Sequence, residues 1–188
     1  MRTLLLLALI SSFLISGISQ EYKVDIDNST IKWTGKKVLG KHHGNISLLN
    51  GEFTLKQGNI IKGNFVMDMT SIICLDLKDK EWNNKLIGHL KSSDFFDVEN
   101  HKTATFVITK AKPFINNSAL IKGNITIKGI TKLLDFDVKK EGDKYTALIE
   151  INRTEFDIRY GSGSFFDNLG DKAIDDVFTL EVVLSTKK

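Results

Sequence analysis

Cysteine and proline are almost absent from this sequence, which contains one of each, Cys74 and Pro113. A single cysteine excludes a disulfide within the chain, so a small fold held together by disulfides is ruled out. Cys74 lies in the apolar run 72–75. We therefore interpret it as a buried structural thiol, with an intermolecular disulfide as the alternative.

The sequence also lacks a hydrophobic run of the about 20 residues that a membrane-spanning helix needs. The apolar segment 4–15 is shorter, follows Arg2, and precedes the small residues Gly17 and Ser19. This order is typical of a signal peptide, residues 1–19, cleaved after Ser19 to leave Gln20 as the first residue. No cysteine follows the cleavage site to carry a bacterial lipid anchor. We expect a secreted protein, in a bacterium a periplasmic one, with residues 20–188 forming a single domain.

A large excess of charge of one sign is missing as well. The chain has 26 basic and 23 acidic residues, and loss of Arg2 with the signal peptide lowers the net charge from +3 to about +2. Lysine pairs such as Lys36 and Lys37 do not form the basic cluster that a nucleic-acid surface requires. We therefore expect no nucleic-acid partner and no membrane-spanning segment.

Sequence motifs of common catalytic sites are missing too. There is no Gly-x-Ser-x-Gly motif and no Walker-type loop, and the glycine-serine run 161–164 lacks the lysine that a phosphate-binding loop would need. The four histidines are His42, His43, His89 and His101, and no two have the i, i+4 spacing of a zinc-binding helix. Neighbouring His42 and His43 would face opposite sides of a strand. The sequence therefore predicts neither a catalytic centre nor a metal site.

What the sequence does contain is a repeated alternation of apolar and polar residues. Such alternation is typical of strands with one buried face. It recurs in about eight runs, namely residues 30–34, 52–56, 64–69, 105–109, 121–128, 134–138, 145–151 and 178–184.

Turn-forming residues separate many of these runs, at 50–51, 57–59, 116–117 and 141–143. Short turns of this composition connect antiparallel strands. A large set of one-sided strands either stacks as two sheets or closes into a barrel, and closure removes the exposed edges. We predict an all-β fold, a single closed antiparallel barrel of about eight strands whose interior holds side chains or one slim ligand.

One segment, residues 78–96, interrupts the strand pattern. Trp82, Leu86 and Leu90 recur every four residues, which predicts a short helix over residues 82–90 with these side chains on one face. Phe95 and Phe96 follow directly, and two exposed phenylalanine rings would be costly in water. We predict that the helix and these two rings form a lid over one end of the barrel.

A second group of charged residues lies at 153–159. Arg153, Asp157 and Arg159 would share one face if this segment were extended. One interpretation is an ion-pair network that closes an end of the barrel. The alternative is a polar mouth that meets the head group of a ligand.

Several of these segments together resemble a known family. The sequences HLKSSDFF (89–96), ATF (104–106), IKGNITIKGIT (121–131) and INRTEFDIRYG (151–161), followed by an alternating strand, resemble the YceI-like family of secreted proteins over essentially the whole mature chain. This resemblance implies a lipocalin-like barrel whose apolar bore holds a polyisoprenoid chain.

We therefore expect a lipid-binding protein rather than an enzyme, holding a polyisoprenoid, a quinone tail or a fatty acyl group, with no cofactor apart from such a lipid. A homodimer is an open alternative. Two other hypotheses are an enzyme or metal-dependent site that uses His89 with Asp94, and a structural or stress-related barrel with a filled core. His89 is expected to act by hydrogen bonding. The candidate ligand-binding residues are the bulky apolar members of alternating strands and the lid: Trp33, Phe65, Met67, His89, Leu90, Phe95, Phe96, Phe106, Ile108 and Ile125.

Overall fold

The alternating runs form eight strands in a computed structural model that describes residues 19–187 of the 188-residue chain. Residues 1–18 of the predicted signal peptide lie outside the described residues. The strands are β1 (Ser19–Lys37), β2 (Gly40–Lys56), β3 (Asn59–Cys74), β4 (Thr103–Ala111), β5 (Ser118–Ile127), β6 (Ile130–Glu141), β7 (Lys144–Asn152) and β8 (Val177–Thr186). One α-helix, α1 (Lys80–Lys91), connects β3 to β4, and two short 3-10 helices, Arg153–Phe156 and Gly170–Lys172, lie between β7 and β8.

Each strand pairs antiparallel with the next along the chain, and β8 pairs with β1 to close the barrel. The predicted closed barrel of eight strands with one short helical insertion is therefore confirmed. The buried apolar side chains form one cluster inside it, because inward positions alternate with outward ones along each strand. Among residues 19–187, no helix is long and apolar enough to cross a membrane.

Turn chemistry behaves as expected at three of the predicted positions. Residues 57–58, 116–117 and Gly142 have the positive φ values that tight turns require. The predicted turn at Asn50 and Gly51 is wrong, because both residues lie within β2.

The pair 50–51 marks an irregularity in the β2–β3 ladder instead of a turn. The register shifts between Leu48 and Asn50. A Cβ atom on Gly51 would lie 2.8 Å from Cγ2 of Val24 on the neighbouring strand. Glycine is required here because two strands approach closely, which is typical of a bulge.

Helix α1 begins after Asp79, whose side chain accepts a hydrogen bond from the Trp82 N–H at 3.0 Å. It ends where the hydroxyl and the backbone N–H of Ser92 both donate to the carbonyl of His89. Of the three residues predicted to share one helix face, Leu90 is buried, Leu86 is half-buried and Trp82 lies outside the core. Trp82 is 61% exposed, and the Lys85 ammonium lies 4.7 Å from its ring centre. Leu86, Ile87 and Leu90, in the second half of α1, pack in or against the core.

Candidate functional site

A cavity of about 100 Å³ lies inside the barrel. Twenty residues line it, at least one from each strand. About 10 to 15 Å³ suffices for a water molecule, yet a cavity of this kind stays dry when its walls offer no polar partners. The lining includes Phe65, Met67, Phe106, Ile108, Ile125, Leu134, Phe136, Ile149, Leu180 and Val182.

Two inward-facing glycines make room for the aromatic rings in this wall. A Cβ atom on Gly123 would lie 2.5 Å from Cζ of Phe106, and one on Gly63 would lie 2.9 Å from Cδ1 of Ile108. The Phe106 ring centre lies 5.2 Å from that of Phe136. A Cβ atom on Gly123 would also clash with the carbonyl oxygen of Val107, so a larger residue fits there only if β4 or the Phe106 ring shifts.

The lining carries almost no polarity. Its polar members are Thr146 and the hydroxyl of Tyr145. Burial, and to a smaller extent the nearby Tyr22, raises the pKa of Tyr145 to about 12. The phenol therefore stays neutral at physiological pH, and the cavity wall presents no charge to a bound molecule.

The barrel has an opening in its side between β6 and β7. These strands pair only from Val138 with Ala147 to Glu141 with Lys144, whereas β6 pairs with β5 from Ile130 to Lys139. Beyond the paired part, a cleft of about 250 Å³ lies between the separated strands, bordered by Lys132, Leu133, Leu134, Glu150, Ile151, Asn152, Glu155, Phe156 and Val177.

Ile125 and Leu134 line both the cleft and the interior cavity. These two side chains therefore form the boundary between the barrel interior and its surface. The neighbouring Leu133 points outward and is 81% exposed. A movement of side chains at this boundary would connect the cavity with the outside without breaking a backbone hydrogen bond of the β6–β7 ladder.

The end of the barrel at which β3 terminates is filled by α1 and the residues after it. Leu90, Phe95 and Val98 are buried in the same cluster as the strand side chains. The Phe96 ring packs edge-on against Phe95 at 5.1 Å and against Phe178 at 6.2 Å between ring centres. This end is therefore closed by aromatic packing.

His89 lies in this aromatic group. Its ring centre is 4.4 Å from that of Tyr160 and 5.7 Å from that of Phe95. Its Nε2 atom is buried and has no hydrogen-bond partner within residues 19–187. Nε2 therefore does not form the hydrogen bond predicted for His89. Within residues 19–187, the His89 ring makes no ion pair with a carboxylate. Asp94, which the enzyme hypothesis paired with His89, is exposed.

The charges at 153–159 do not form one network. The segment starts as a 3-10 helix, and Asp157 adopts a left-handed backbone conformation with φ of 57°. Arg153 is buried and faces Asp176 at 3.5 Å, whereas exposed Arg159 pairs with Asp157 at 3.0 Å. The assumption that segment 153–159 is extended is therefore wrong. Of Arg153, Asp157 and Arg159, only Arg153 helps to close the end of the barrel, with its guanidinium 5.7 Å from the Phe95 ring centre.

The sequence predicts that His42 and His43 face opposite sides of a strand and so do not meet. Both imidazole rings nevertheless approach one carboxylate. Nδ1 of His42 lies 2.8 Å and Nδ1 of His43 lies 3.7 Å from oxygens of the same carboxylate, Asp76. Asp76 lies two residues after the end of β3. Its carboxylate contacts β2 directly, because it also accepts a hydrogen bond from the His43 backbone N–H at 2.7 Å.

Comparison with known proteins places the chain. A family model described as a YceI-like domain matches residues 22–186. The chain belongs to the YceI-like family. A UPF0312 protein of Pseudomonas putida (strain W619) is 30% identical over 153 residues, covering 76% of this chain and 74% of the relative. A UPF0312 protein of Pseudomonas aeruginosa (strain LESB58) is 30% identical over 151 residues, covering 75% and 73%.

Solved structures share the barrel of this YceI-like protein. BcnA of Burkholderia cenocepacia is similar with a TM-score of 0.66 at 22% identity, covering 86% of this chain and 98% of BcnA. A polyisoprenoid-binding domain from Saccharophagus degradans, implicated in plant cell wall breakdown, is similar with a TM-score of 0.59 at 11% identity, covering 88% and 97%. At these identities the similarity shows a common fold.

In this YceI-like barrel the ten predicted ligand-binding residues fall into two groups. Five line the cavity, namely Phe65, Met67, Phe106, Ile108 and Ile125. The other five lie toward the closed end, and among them the Trp33 indole donates to the Ile73 carbonyl at 3.0 Å. Contact of either group with a ligand stays a prediction. The sequence-based selection omitted the cavity residues of β6 to β8, although the same alternation identifies their inward positions.

Proposed function

We propose that this protein binds a long apolar molecule, a polyisoprenoid, a quinone tail or a fatty acyl group, inside its barrel. The observation that carries this proposal is the interior cavity lined by side chains from all eight strands, with Thr146 and Tyr145 as its only polar lining residues. The YceI-like family membership and the fold shared with a polyisoprenoid-binding domain support the same class of ligand.

Binding in such a cavity depends on burial. Each buried CH₂ group contributes about 0.8 kcal/mol, so one five-carbon isoprene unit contributes roughly 4 kcal/mol before ordering costs. Because the wall offers few hydrogen-bonding groups, the length and width of the cavity would set specificity. The same wall supports a binding function over catalysis, since a neutral Tyr145 phenol is its only ionisable group.

The cleft between β6 and β7 supplies the route by which a chain reaches the cavity. It shares Ile125 and Leu134 with the interior. Lys132, Glu150 and Glu155 at its border are suited to a polar head group that stays in water while the tail enters the barrel.

Lipid extraction and mass spectrometry of the purified protein test this proposal. Ala147→Phe would place a ring in the cavity and should abolish lipid co-purification. The matched control is Leu148→Phe on the same strand, because Leu148 points outward and is 63% exposed. Leu148→Phe should carry as much lipid as the wild type.

A folded Ala147→Phe protein with the wild-type lipid content would refute the interior site. Wild-type protein free of lipid, and unable to bind a fluorescent fatty acid or a polyprenyl alcohol, would favour the filled structural barrel instead.

We also propose that the protein is secreted and begins at Gln20 after cleavage. Arg2, the apolar segment 4–15 and the small residues Gly17 and Ser19 support this proposal. Intact-mass measurement of protein from a periplasmic or culture fraction should give the mass of residues 20–188. A mature protein that retains residues 1–19 would contradict it.

A further inference from the structure

Three side chains with metal-binding atoms meet at the rim of the barrel, apart from the cavity. They are His42 on β2, Cys74 at the end of β3, and Asp76 two residues later. One ligand atom from each lies within 4.8 Å of the other two. Nδ1 of His42 lies 2.8 Å from Oδ2 of Asp76, and the Cys74 thiol lies 3.3 Å from Oδ1.

These spacings are close to those of a tetrahedral zinc site. Zinc binds sulfur at about 2.3 Å and nitrogen or oxygen at about 2.0 to 2.2 Å, which separates tetrahedral ligands by roughly 3.5 Å. Side-chain movements of about 1 Å would therefore suffice. A thiolate, an imidazole and a carboxylate together suit Zn²⁺, whereas Ca²⁺ and Mg²⁺ prefer oxygen ligands.

The backbone around the cluster is held in place. Cys74 lies opposite Gly44 in the β2–β3 ladder. The Asn83 amide of α1 donates to the carbonyls of Cys74 and Leu77, both at 3.0 Å, and so fixes the segment that carries Asp76. Burial of the cluster is substantial, with Cys74 7% exposed and the His42 and Asp76 side chains 27% and 23% exposed.

We propose that His42, Cys74 and Asp76 form a Zn²⁺ site. The nearby His43 imidazole or a water molecule would complete four ligands, since Nδ1 of His43 lies 3.7 Å from Oδ1 of Asp76. On binding, the Cys74 thiol releases its proton to solvent and binds as a thiolate, and His42 binds as neutral imidazole after giving up any proton it shares with Asp76. No electron is transferred. The site ties β2 to the loop that leads into α1.

Metal titration of the mature protein, prepared without a histidine tag and treated first with a chelator, tests this site. Isothermal titration should show one Zn²⁺ per chain. Co²⁺, used as a spectroscopic probe, should produce a thiolate-to-cobalt charge-transfer band and the visible bands of a tetrahedral centre. Cys74→Ser should remove the charge-transfer band.

His42→Gln and Asp76→Asn should each weaken Zn²⁺ binding at least roughly tenfold. The matched control is His101→Gln, because His101 also lies beside a carboxylate, with Nε2 3.8 Å from Asp97, but has no cysteine there. His101→Gln should bind as the wild type does. Circular dichroism verifies the folding of each variant. If Cys74→Ser does not fold, the His42→Gln variant still tests the site, because His42 is only half-buried.

Absence of stoichiometric Zn²⁺ binding by the folded wild type would refute the site. Equal binding by the His42→Gln, Cys74→Ser and Asp76→Asn variants would also refute it, since the metal would then bind elsewhere. Lipid content of the same variants gives an independent readout, because the cluster lies outside the cavity lining. Loss of metal with retained lipid supports the metal site and leaves the proposed lipid binding intact.

Discussion

At the scale of the residue, Arg153 is the one charged side chain among residues 19–187 that is buried. It donates to the carbonyls of Asp175, Ile158 and Ile174 at 3.0, 2.7 and 2.9 Å and faces Asp176. A buried guanidinium is tolerated only when its donors are satisfied. Arg153 thereby connects the 3-10 turn after β7 to the segment that leads into β8.

Arg153→Met should lower the free energy of unfolding by about 3 to 5 kcal/mol, because it leaves three carbonyls and Asp176 without their partner. Urea denaturation measures this change. Arg159→Met is the control, since Arg159 and Asp157 are more than half exposed and their pair should contribute less than about 1 kcal/mol. Equal losses in the two variants would contradict the structural role of Arg153.

Asp176 makes the stability of this region depend on pH. Burial raises the pKa of Asp176, but hydrogen bonds from Ser162 and Ser164 and the charge of Arg153 lower it further than burial raises it. A carboxylate whose pKa is lower in the folded than in the unfolded state stabilises the protein above the unfolded pKa of about 3.9. That contribution is lost as the pH falls through the folded pKa.

The wild type should therefore lose more stability than Asp176→Asn between about pH 5 and pH 2. Asp176→Asn should be the less stable protein at pH 7, and the two unfolding free energies should converge in acid. Urea denaturation across this range measures both curves. Parallel curves would show that Asp176 does not couple folding to protonation.

At the scale of the element, the end of the barrel covered by α1 is more firmly closed than the side between β6 and β7. Helix α1 and the residues after it close one end with Leu90, Phe95 and Phe96. The β6–β7 ladder is short, so the side of the barrel is its weakest wall. Backbone groups of β6 and β7 along the cleft have no ladder partner in the opposite strand, which makes this region the one that opens at least cost.

Leu134→Trp should slow the loading of a fluorescent fatty acid by narrowing the boundary between the cleft and the cavity. Each 1.4 kcal/mol added to the barrier slows loading about tenfold. Stopped-flow fluorescence measures the rate. Leu148→Trp is the control, because Leu148 is 63% exposed and lines neither the cavity nor the cleft, and it should load at the wild-type rate. Unchanged loading in a folded Leu134→Trp protein would place the route elsewhere.

At the scale of the whole molecule, the proposed binding in the cavity would make the stability of the protein depend on its ligand. A molecule that binds only the folded state stabilises it by about 2.7 kcal/mol at a free concentration of 100 times its Kd. For a domain of this size, that shifts the melting temperature by roughly 5 to 10 °C.

Delipidated protein should accordingly melt at a lower temperature than the loaded protein, and added fatty acid or polyprenyl alcohol should restore the difference. Differential scanning calorimetry measures both states. Ala147→Phe should melt at the same temperature with and without lipid. A wild type whose melting temperature does not respond to any apolar ligand would contradict binding inside the barrel.

The sequence by itself determined the class of fold and part of the cavity wall. Alternation in runs such as 121–128 predicts an inward face, because side chains of a strand point to opposite sides in turn. Phe106 and Ile125 could be assigned to the cavity from this local rule alone. The helix near α1 and its serine stop also follow from residues close together in the chain.

Only the tertiary structure decided features that depend on register and on distant residues. Gly51 lies within β2 rather than in a turn, next to the register shift between Leu48 and Asn50, and its missing side chain leaves room for Val24 of β1. Trp82 is exposed because of its position relative to the barrel, which the helical repeat alone does not determine. The cleft between β6 and β7 and the meeting of His42 with Asp76 arise from how far each strand pairs with its neighbour. Periodicity identifies the side to which a residue points, whereas the register of pairing decides which distant residue it meets.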